Sequence, residues 1–214
     1  METTKKIAII GLGNIGKAVA ENLNRGGRSF IVAGRDTQEI EETAKEWKGA
    51  QVKSITEAVK EADIIIPAIW FNAVGEFITE YSGALQGKII VDVSNPIAPD
   101  ENGGFKKIID PQASAGEINS AKLPKGAFLA KALGTLGAAS LSGEAFANPR
   151  KVLFYATDEQ SINPDVEQLI TDAGFEPLRV GGIDQSIRIE VFGDLHEFGA
   201  IGKTVTLDEA KTKI

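Results

Sequence analysis

Short apolar runs alternate along this chain with stretches in which apolar residues recur every three or four positions. Ile7 to Ile10 (IAII) reads as a buried strand, and Ile15, Val19 and Leu23 then fall on one face of a helix. Ser29 to Ala33 (SFIVA) is a second strand. The segment from Asp36 to Lys48 predicts a helix burying Ile40, Ala44 and Trp47. Asp36 with Glu39, and Ser54 with Glu57, have the spacing of capping boxes at two helix starts. Ala62 to Ile66 (ADIII) reads as a fourth strand stopped by Pro67, Phe71 to Tyr81 as a helix, and Lys88 to Val93 (KIIVDV) as a fifth strand. Residues 94–125 are rich in Pro, Gly, Asn and Ser and predict only a helix around Ala113 to Ala121. Ala127 to Leu133 (AFLAKAL) is a sixth strand, and Val152 to Ala156 and Phe175 to Val180 are two more. Between those two lies a helix with Asn163 as cap and Pro164 at its first position. It buries Val166, Leu169, Ile170 and Ala173 and ends at Gly174. A last helix over Gln185 to Phe198 carries Ile187, Val191, Leu195 and Phe198 on one side.

Strands alternating with helices predict an α/β fold: a Rossmann-type, doubly wound, mostly parallel sheet of about eight strands in a single domain. Residues 1–110 are expected to form the core of the sheet, 111–200 an extension that shapes a cleft, and 201–214 a tail. Strands continue to the region of Val180, so no room is left for a long helical substrate domain. The substrate must then sit in a shallow cleft at the carboxyl edge of the sheet, which favours a flat or open partner.

Composition narrows the chemistry. The 214 residues are 43% hydrophobic and 25% charged, an ordinary soluble globular balance. A net charge of −7 and a sequence pI near 4.9 argue against nucleic acid or an anionic membrane as partner. With no cysteine and one histidine, disulfides, thiolate chemistry and cysteine- or histidine-rich metal sites are excluded, and no metal site is expected. The start METTKK carries no signal peptide and no apolar run is long enough to span a membrane, so a cytoplasmic protein is expected.

The most informative segment is the turn after the first strand, Gly11, Leu12, Gly13, Asn14, Ile15 and Gly16 (GLGNIG). Its context, strand before and helix after, is that of a dinucleotide fingerprint rather than of an unliganded turn. Gly11 permits the tight turn, Gly13 lets backbone approach a pyrophosphate, and Gly16 lets helix and sheet pack closely. The end of the second strand selects the nucleotide. Asp36 is near the position of an acid that binds ribose hydroxyls, but it also sits where the next helix needs a cap, and the cap is the favoured role. Gly34, Arg35 and Thr37 then face the adenine side, where Arg35 pairs with a 2′-phosphate, the mark of NADP(H); the alternative is a solvated surface arginine.

Two further strand ends face the cofactor. Pro67, Ala68, Ile69 and Trp70 line the path from pyrophosphate to nicotinamide, although Trp70 also suits a plain core. Ser94, Asn95 and Pro96 lie beside the nicotinamide ribose or ring, with a simple Asn-Pro turn as the alternative. His196, alone on a terminal helix, reads as structural or surface. No Ser-His-Asp or paired-carboxylate constellation is present, and no catalytic acid or base is assigned.

Together GLGNIG, IVAGRD, IPAIW, VDVSNPI and KALGTLGAASL resemble the NADPH-dependent deazaflavin reductases, the NADP:coenzyme F-420 oxidoreductase-like family. The resemblance extends through VLFYATDE and AGFEPLRVGGIDQSIRIE. It implies a Rossmann fold, a homodimer, and hydride transfer between NADP(H) and a deazaflavin or flavin-like small-molecule acceptor. It also implies that Lys131, Gly134, Thr135 and Leu136 lie against the acceptor. One departure stands out: where the family commonly reads KAFNT, this chain has Gly134 in place of the Asn. The glycine either admits a bulkier ring or marks a different acceptor. The alternatives to a deazaflavin reductase are an NADPH-dependent reductase of a small carbonyl or imine and a non-catalytic NADP(H)-sensing protein.

Overall fold

The fold is known from a computed structural model that describes residues 4–214; Met1 to Thr3, part of the METTKK start, lie outside the described residues. The first half runs β1 (Ile7–Ile10), α1 (Asn14–Arg25), β2 (Phe30–Ala33), α2 (Thr37–Ala44), β3 (Ala50–Val52), α3 (Ile55–Glu61), β4 (Ile64–Pro67), α4 (Phe71–Glu80) and β5 (Ile89–Asp92). A hairpin of β6 (Ile97–Pro99) and β7 (Phe105–Lys107) follows, then α5 (Ala115–Ser120), β8 (Phe128–Lys131) and α6 (Ala138–Gly143). The chain closes with β9 (Val152–Ala156), α7 (Asn163–Asp172), β10 (Glu176–Gly181), α8 (Ser186–Ile189) and α9 (Leu207–Ala210).

Eight strands form one sheet in the order β10-β9-β8-β5-β4-β1-β2-β3. Every pairing is parallel except β8 with β9, which meet antiparallel at Lys131 and Ala156. The order reverses at β1: β2 and β3 extend to one side, and the chain crosses back to lay β4 on the other. A crevice forms at such a switch point because the connections leave the strand ends in opposite directions.

Side-chain alternation divides the core. Ile7, Ile9, Phe30, Val32, Ile64 and Ile66 point to the face covered by α1, α2, α6 and α7, where they meet Val19, Leu23, Ile40, Leu141 and Leu169. Ala8, Ile10, Ile31, Ala33, Ile65 and Ile90 point to the other, against Ala58 and Val59 of α3 and Val74, Phe77 and Ile78 of α4. Strands buried on both faces have no polar side, which is why they read as unbroken apolar runs. Ser54 and Glu57 cap α3 reciprocally, as their spacing predicts.

Four expectations are corrected. The second helix stops at Ala44 instead of Lys48, and Trp47 leaves the helix to pack near Phe30 with ring centroids 6.2 Å apart. Asn163 is the first helical residue of α7, not its cap, because a 3-10 turn over Gln160–Ile162 runs directly into it. The helix expected over Gln185 to Phe198 ends at Ile189. There Glu190 turns to an extended ψ of 163° and Phe192 takes a φ of 75°, so the remaining residues fold back as loop. Gly193 packs where any Cβ would lie 2.3 Å from the Ile187 carbonyl oxygen. Residues 201–214 are more than a tail: Val205 and Ala210 are buried against Val152 and Phe154, and Lys151 bridges to Thr206.

Replacing Ser54 by Ala removes the acceptor for the Glu57 amide at an exposed helix start. The expected loss is about 1 kcal/mol of folding stability, read from a lower urea midpoint at unchanged slope.

Candidate functional site

Four parallel strand ends converge at the switch point. After β1, Gly11 has a φ of +95°, and its N–H donates to the Ala33 carbonyl at 2.7 Å. A Cβ on Gly11 would lie 2.8 Å from the Ala68 carbonyl oxygen, and one on Gly16 only 2.1 Å from the Gly11 carbonyl oxygen. The turn, helix α1 and the end of β4 are therefore packed backbone to backbone. At Gly13, by contrast, nothing lies within 4 Å of a would-be Cβ. Gly13 is the N-cap of α1, offers no side chain to the first-turn amides, and no acidic residue occupies that turn. Unpartnered N–H groups and a positive dipole end thus face an open approach, the arrangement that binds a phosphate. Leu12 and Ile15 are half-buried and pack onto the core, whereas Gly13 and Asn14 are exposed.

At the end of β2, Asp36 accepts from the Gln38 and Glu39 amides at 3.0 and 3.1 Å, so its carboxylate caps α2. Gly34 fits because a Cβ there would meet the Ile40 side chain at 2.7 Å. Arg35 and Thr37 are exposed on the same strand end, and among the described residues Arg35 makes no ion pair or side-chain hydrogen bond. At the end of β4, Pro67 is buried opposite Ile10, while Ala68 and Ile69 touch the glycine turn. Trp70 is the N-cap of α4 and 64% exposed, which removes the core reading of this residue.

Beyond β5, Ser94 is buried and Asn95 half-buried. The Ser94 amide donates to Asp92 Oδ1 at 2.8 Å. Asn95 is fixed at both ends: its Nδ2 donates to the Gly134 carbonyl at 2.9 Å, and its Oδ1 accepts from the Val191 amide at 2.7 Å. Pro96 is buried behind it. Lys131, Gly134, Thr135 and Leu136 are all buried, with Lys131 only 1% exposed, so they lie beneath the strand ends and not in an open wall. Gly134 admits no ring: its Cβ would lie 2.0 Å from the Val93 carbonyl oxygen. The glycine that replaces the family's Asn is a packing residue on this backbone.

Lys131 Nζ lies 3.2 Å from Asp92 Oδ2 and 3.8 Å from Glu190 Oε1, and it donates to the Ser94 carbonyl. Asn119 Nδ2 donates to Asp92 Oδ2 at 3.0 Å. Glu190 accepts from the Ala115 and Gly116 amides at the start of α5, each at 2.9 Å. Burial pushes the Glu190 carboxyl above its usual range, opposed by Lys131 and those two amides. Sequence reasoning does not single out Asp92, Asn119 or Glu190. The available signal was an acid in an otherwise apolar strand, VDV, because a charge there demands a buried partner.

His196 is fully buried on the C-terminal loop, and its Nδ1 accepts from the Phe198 amide at 3.0 Å. Burial lowers its pKa to about 4; the Gly134 carbonyl opposes the shift and the Lys131 charge adds to it. It is neutral at ordinary pH, with the proton on Nε2.

The fold and these strand ends define a Rossmann-type α/β domain with a glycine-rich turn at its switch point. Residues 6–96 match the family described as NADP oxidoreductase coenzyme F420-dependent, the same family that the sequence motifs resemble. A hypothetical protein of Sinorhizobium meliloti shares the fold over 94% of this chain and 95% of its own, with a TM-score of 0.82 at 26% identity. A candidate F420-dependent NADP-reductase of Arthrobacter sp. FB24 superposes over 85% of this chain and 87% of its own, with a TM-score of 0.72 at 21% identity. The NADP(+)-dependent ketol-acid reductoisomerase of Bifidobacterium animalis subsp. lactis is 47% identical over 62 residues, 29% of this chain and 17% of that enzyme. The chain thus spans under a fifth of the length of the curated relatives it matches. Among the described residues no helix is long and apolar enough to cross a membrane.

Depressed to about 4 when folded and 6.5 in its ordinary state, His196 binds a proton more readily unfolded than folded. Its contribution is therefore full above pH 6.5 and is lost as the pH falls from there towards 4, on the order of 3 kcal/mol in all. Glu190 acts with the opposite sign, so the histidine's share must be isolated by substitution. His196→Gln, which keeps an acceptor for the Phe198 amide, should lose less stability than the parent between about pH 7 and about pH 4.5 in urea titrations. Equal losses would place the acid sensitivity elsewhere.

Proposed function

We propose that this protein is an NADP(H)-dependent oxidoreductase that passes a hydride between NADPH and a flat ring of the deazaflavin or flavin type. The observation that carries the nucleotide half is the division of labour at the end of β2. Asp36 caps α2 through its Oδ1, while Arg35 beside it is exposed and has no partner among the described residues, next to an uncapped helix start that suits a pyrophosphate. The family matched over residues 6–96 is NADP-dependent by its description.

The residues present fit the dinucleotide. Amides of Asn14, Ile15 and Gly16 at the start of α1 would hold the pyrophosphate, with Gly13 giving the backbone its approach. Arg35 and Thr37 would take the 2′-phosphate, Ile69 and Trp70 would line the way to the nicotinamide, and Ser94, Asn95 and Pro96 would flank its ribose or ring. The bound nucleotide supplies the hydride. The protein's part is to orient two rings at reacting distance and exclude water, which requires no side-chain acid or base. The acceptor side now rests on a different surface from the buried Lys131 segment. Trp70 with Ile97, Ala98, Pro99 and Ile108 lines an open apolar groove where the β6–β7 hairpin passes α4. It suits a planar, amphipathic ring better than a small polar substrate. A homodimer belongs to the same reading, with Phe192 and Phe198, 49% and 56% exposed on the C-terminal loop, as apolar surface for a second copy.

Anaerobic NADPH oxidation with a deazaflavin, FMN and FAD offered separately, and NADH as control donor, tests the assignment. Turnover with a flat ring supports it. Turnover confined to small imines or carbonyls would establish the small-substrate reductase instead, a class with solved relatives in imine reductases of the same fold. Nucleotide binding without any turnover would favour the sensor. Arg35→Ala should weaken NADPH binding by at least about tenfold and NADH binding little, because only NADPH carries the 2′-phosphate. Equal losses for both nucleotides would remove Arg35 from the site.

A further inference from the structure

The buried charge cluster beneath the strand ends has no part in the nucleotide contacts just described. Asp92, Lys131 and Glu190 come from β5, β8 and the loop after α8, and all are nearly inaccessible to solvent. Burying such a group is costly: replacing a buried ion cluster by apolar residues of similar volume is often neutral or stabilising. Stability alone therefore gives no reason for a lysine at the end of β8. What an apolar residue could not do is donate to the Ser94 carbonyl, and Lys131 does so.

The consequence falls on one turn. Ser94 is gripped on its amide by Asp92 and on its carbonyl by Lys131. Asn95, the next residue, is tied to Gly134 and Val191. Asp92 is itself aimed by Asn119 of α5, and Glu190 anchors the opposite side of the cluster on the first amides of that helix. The turn is thus held from β5, β8 and the C-terminal loop, and α5 braces the carboxylates that hold it.

We infer that Lys131, clamped between Asp92 and Glu190, is a positioning residue that sets the Ser94–Asn95 turn against the nicotinamide end of the bound nucleotide. The inference rests on the dinucleotide reading above. It acts on the nicotinamide half alone, since the pyrophosphate and 2′-phosphate groups are held by β1, α1 and β2.

The test compares NADPH with adenosine 2′,5′-bisphosphate, which lacks the nicotinamide half, by titration calorimetry. The variant is Lys131→Met in a Glu190→Gln background. Loss of one positive and one negative charge leaves the cluster's formal charge unchanged, and circular dichroism checks the fold. The parent protein should bind NADPH more tightly than the fragment. The variant should bind the fragment within about twofold of the parent and lose at least about tenfold on NADPH, the effect of about one lost hydrogen bond at the turn. A merely structural defect would weaken both ligands together, and that result overturns the inference, as does a variant that keeps the parent's preference. A parent that binds the fragment as tightly as NADPH also overturns it. A parent that binds neither ligand brings down the dinucleotide reading itself. Should the double variant fail to fold, Asn95→Ala carries the test. It is read beside Asn119→Ala, which lies outside the nucleotide contacts and frees Asp92 Oδ2 of the same clamp; the same selective loss is expected in both, and retained preference for NADPH in the Asn119 variant overturns the inference.

Discussion

Everything at the carboxyl edge depends on the backbone-to-backbone packing of β1, α1 and β4. Gly16 lies so close to the Gly11 carbonyl, and Gly11 so close to the Ala68 carbonyl, that one extra carbon at either position would drive the elements apart. That closeness brings the α1 amino terminus beside the turn and puts Ile69 and Trp70 next to it. Gly13 sits between these two constrained glycines with open space in front of it. A glycine needed for packing and a glycine left free for a ligand have the same letter in the sequence, and only the neighbouring backbone tells them apart.

The second constraint is electrostatic and sits deeper. The sheet ends in a buried cluster with two carboxylates and one ammonium group. It is tolerable because nearly every charged atom has a hydrogen-bond partner: two amides of α5 on Glu190, the Ser94 amide and Asn119 on Asp92, the Ser94 carbonyl on Lys131. Such a network has few alternative arrangements, because moving one member leaves another unsatisfied in a low-dielectric interior. It also explains why α8 stops at Ile189. A helix continuing through Glu190 would carry that carboxylate away from the α5 amides. Leaving a charged group buried and unpaired costs more than the few helical hydrogen bonds gained by extension.

What was legible in the sequence follows from this division. The β strands of the first half are buried on both faces, so their apolar runs and the intervening 3.6-residue stripes placed the sheet, α1, α4 and the Ser54 cap within a few residues. The glycine turn and the capping role of Asp36 were readable because both are local. The sequence did not reveal α6 or the β6–β7 hairpin, whose short segments have no strong periodicity. It overstated the terminal helix, since the stripe Ile187, Val191 and Leu195 is real, but a tertiary contact of Glu190 with a helix about 75 residues away overrides it. Lys131 illustrates the same limit. From the chain it is a strand-end lysine; its burial depends on an aspartate on the adjacent strand and a glutamate in the C-terminal loop.

In an acidic chain of net charge −7, the local charge at the end of β2 depends on where its acids are held. At the end of β2 an acid and a base are neighbours, and each could dominate. A free Asp36 would repel a 2′-phosphate and attract ribose hydroxyls; here its Oδ1 accepts two amides and is turned into the start of α2. Capping thus does more than stabilise a helix: it directs one oxygen of the acid into α2 and leaves the Arg35 guanidinium exposed beside it. The same logic holds at α1, where the first turn contains no acid and the cap is a glycine, so the helix end keeps its amides for an incoming anion. Which groups this strand end leaves free is decided by the hydrogen bonds already made within the fold.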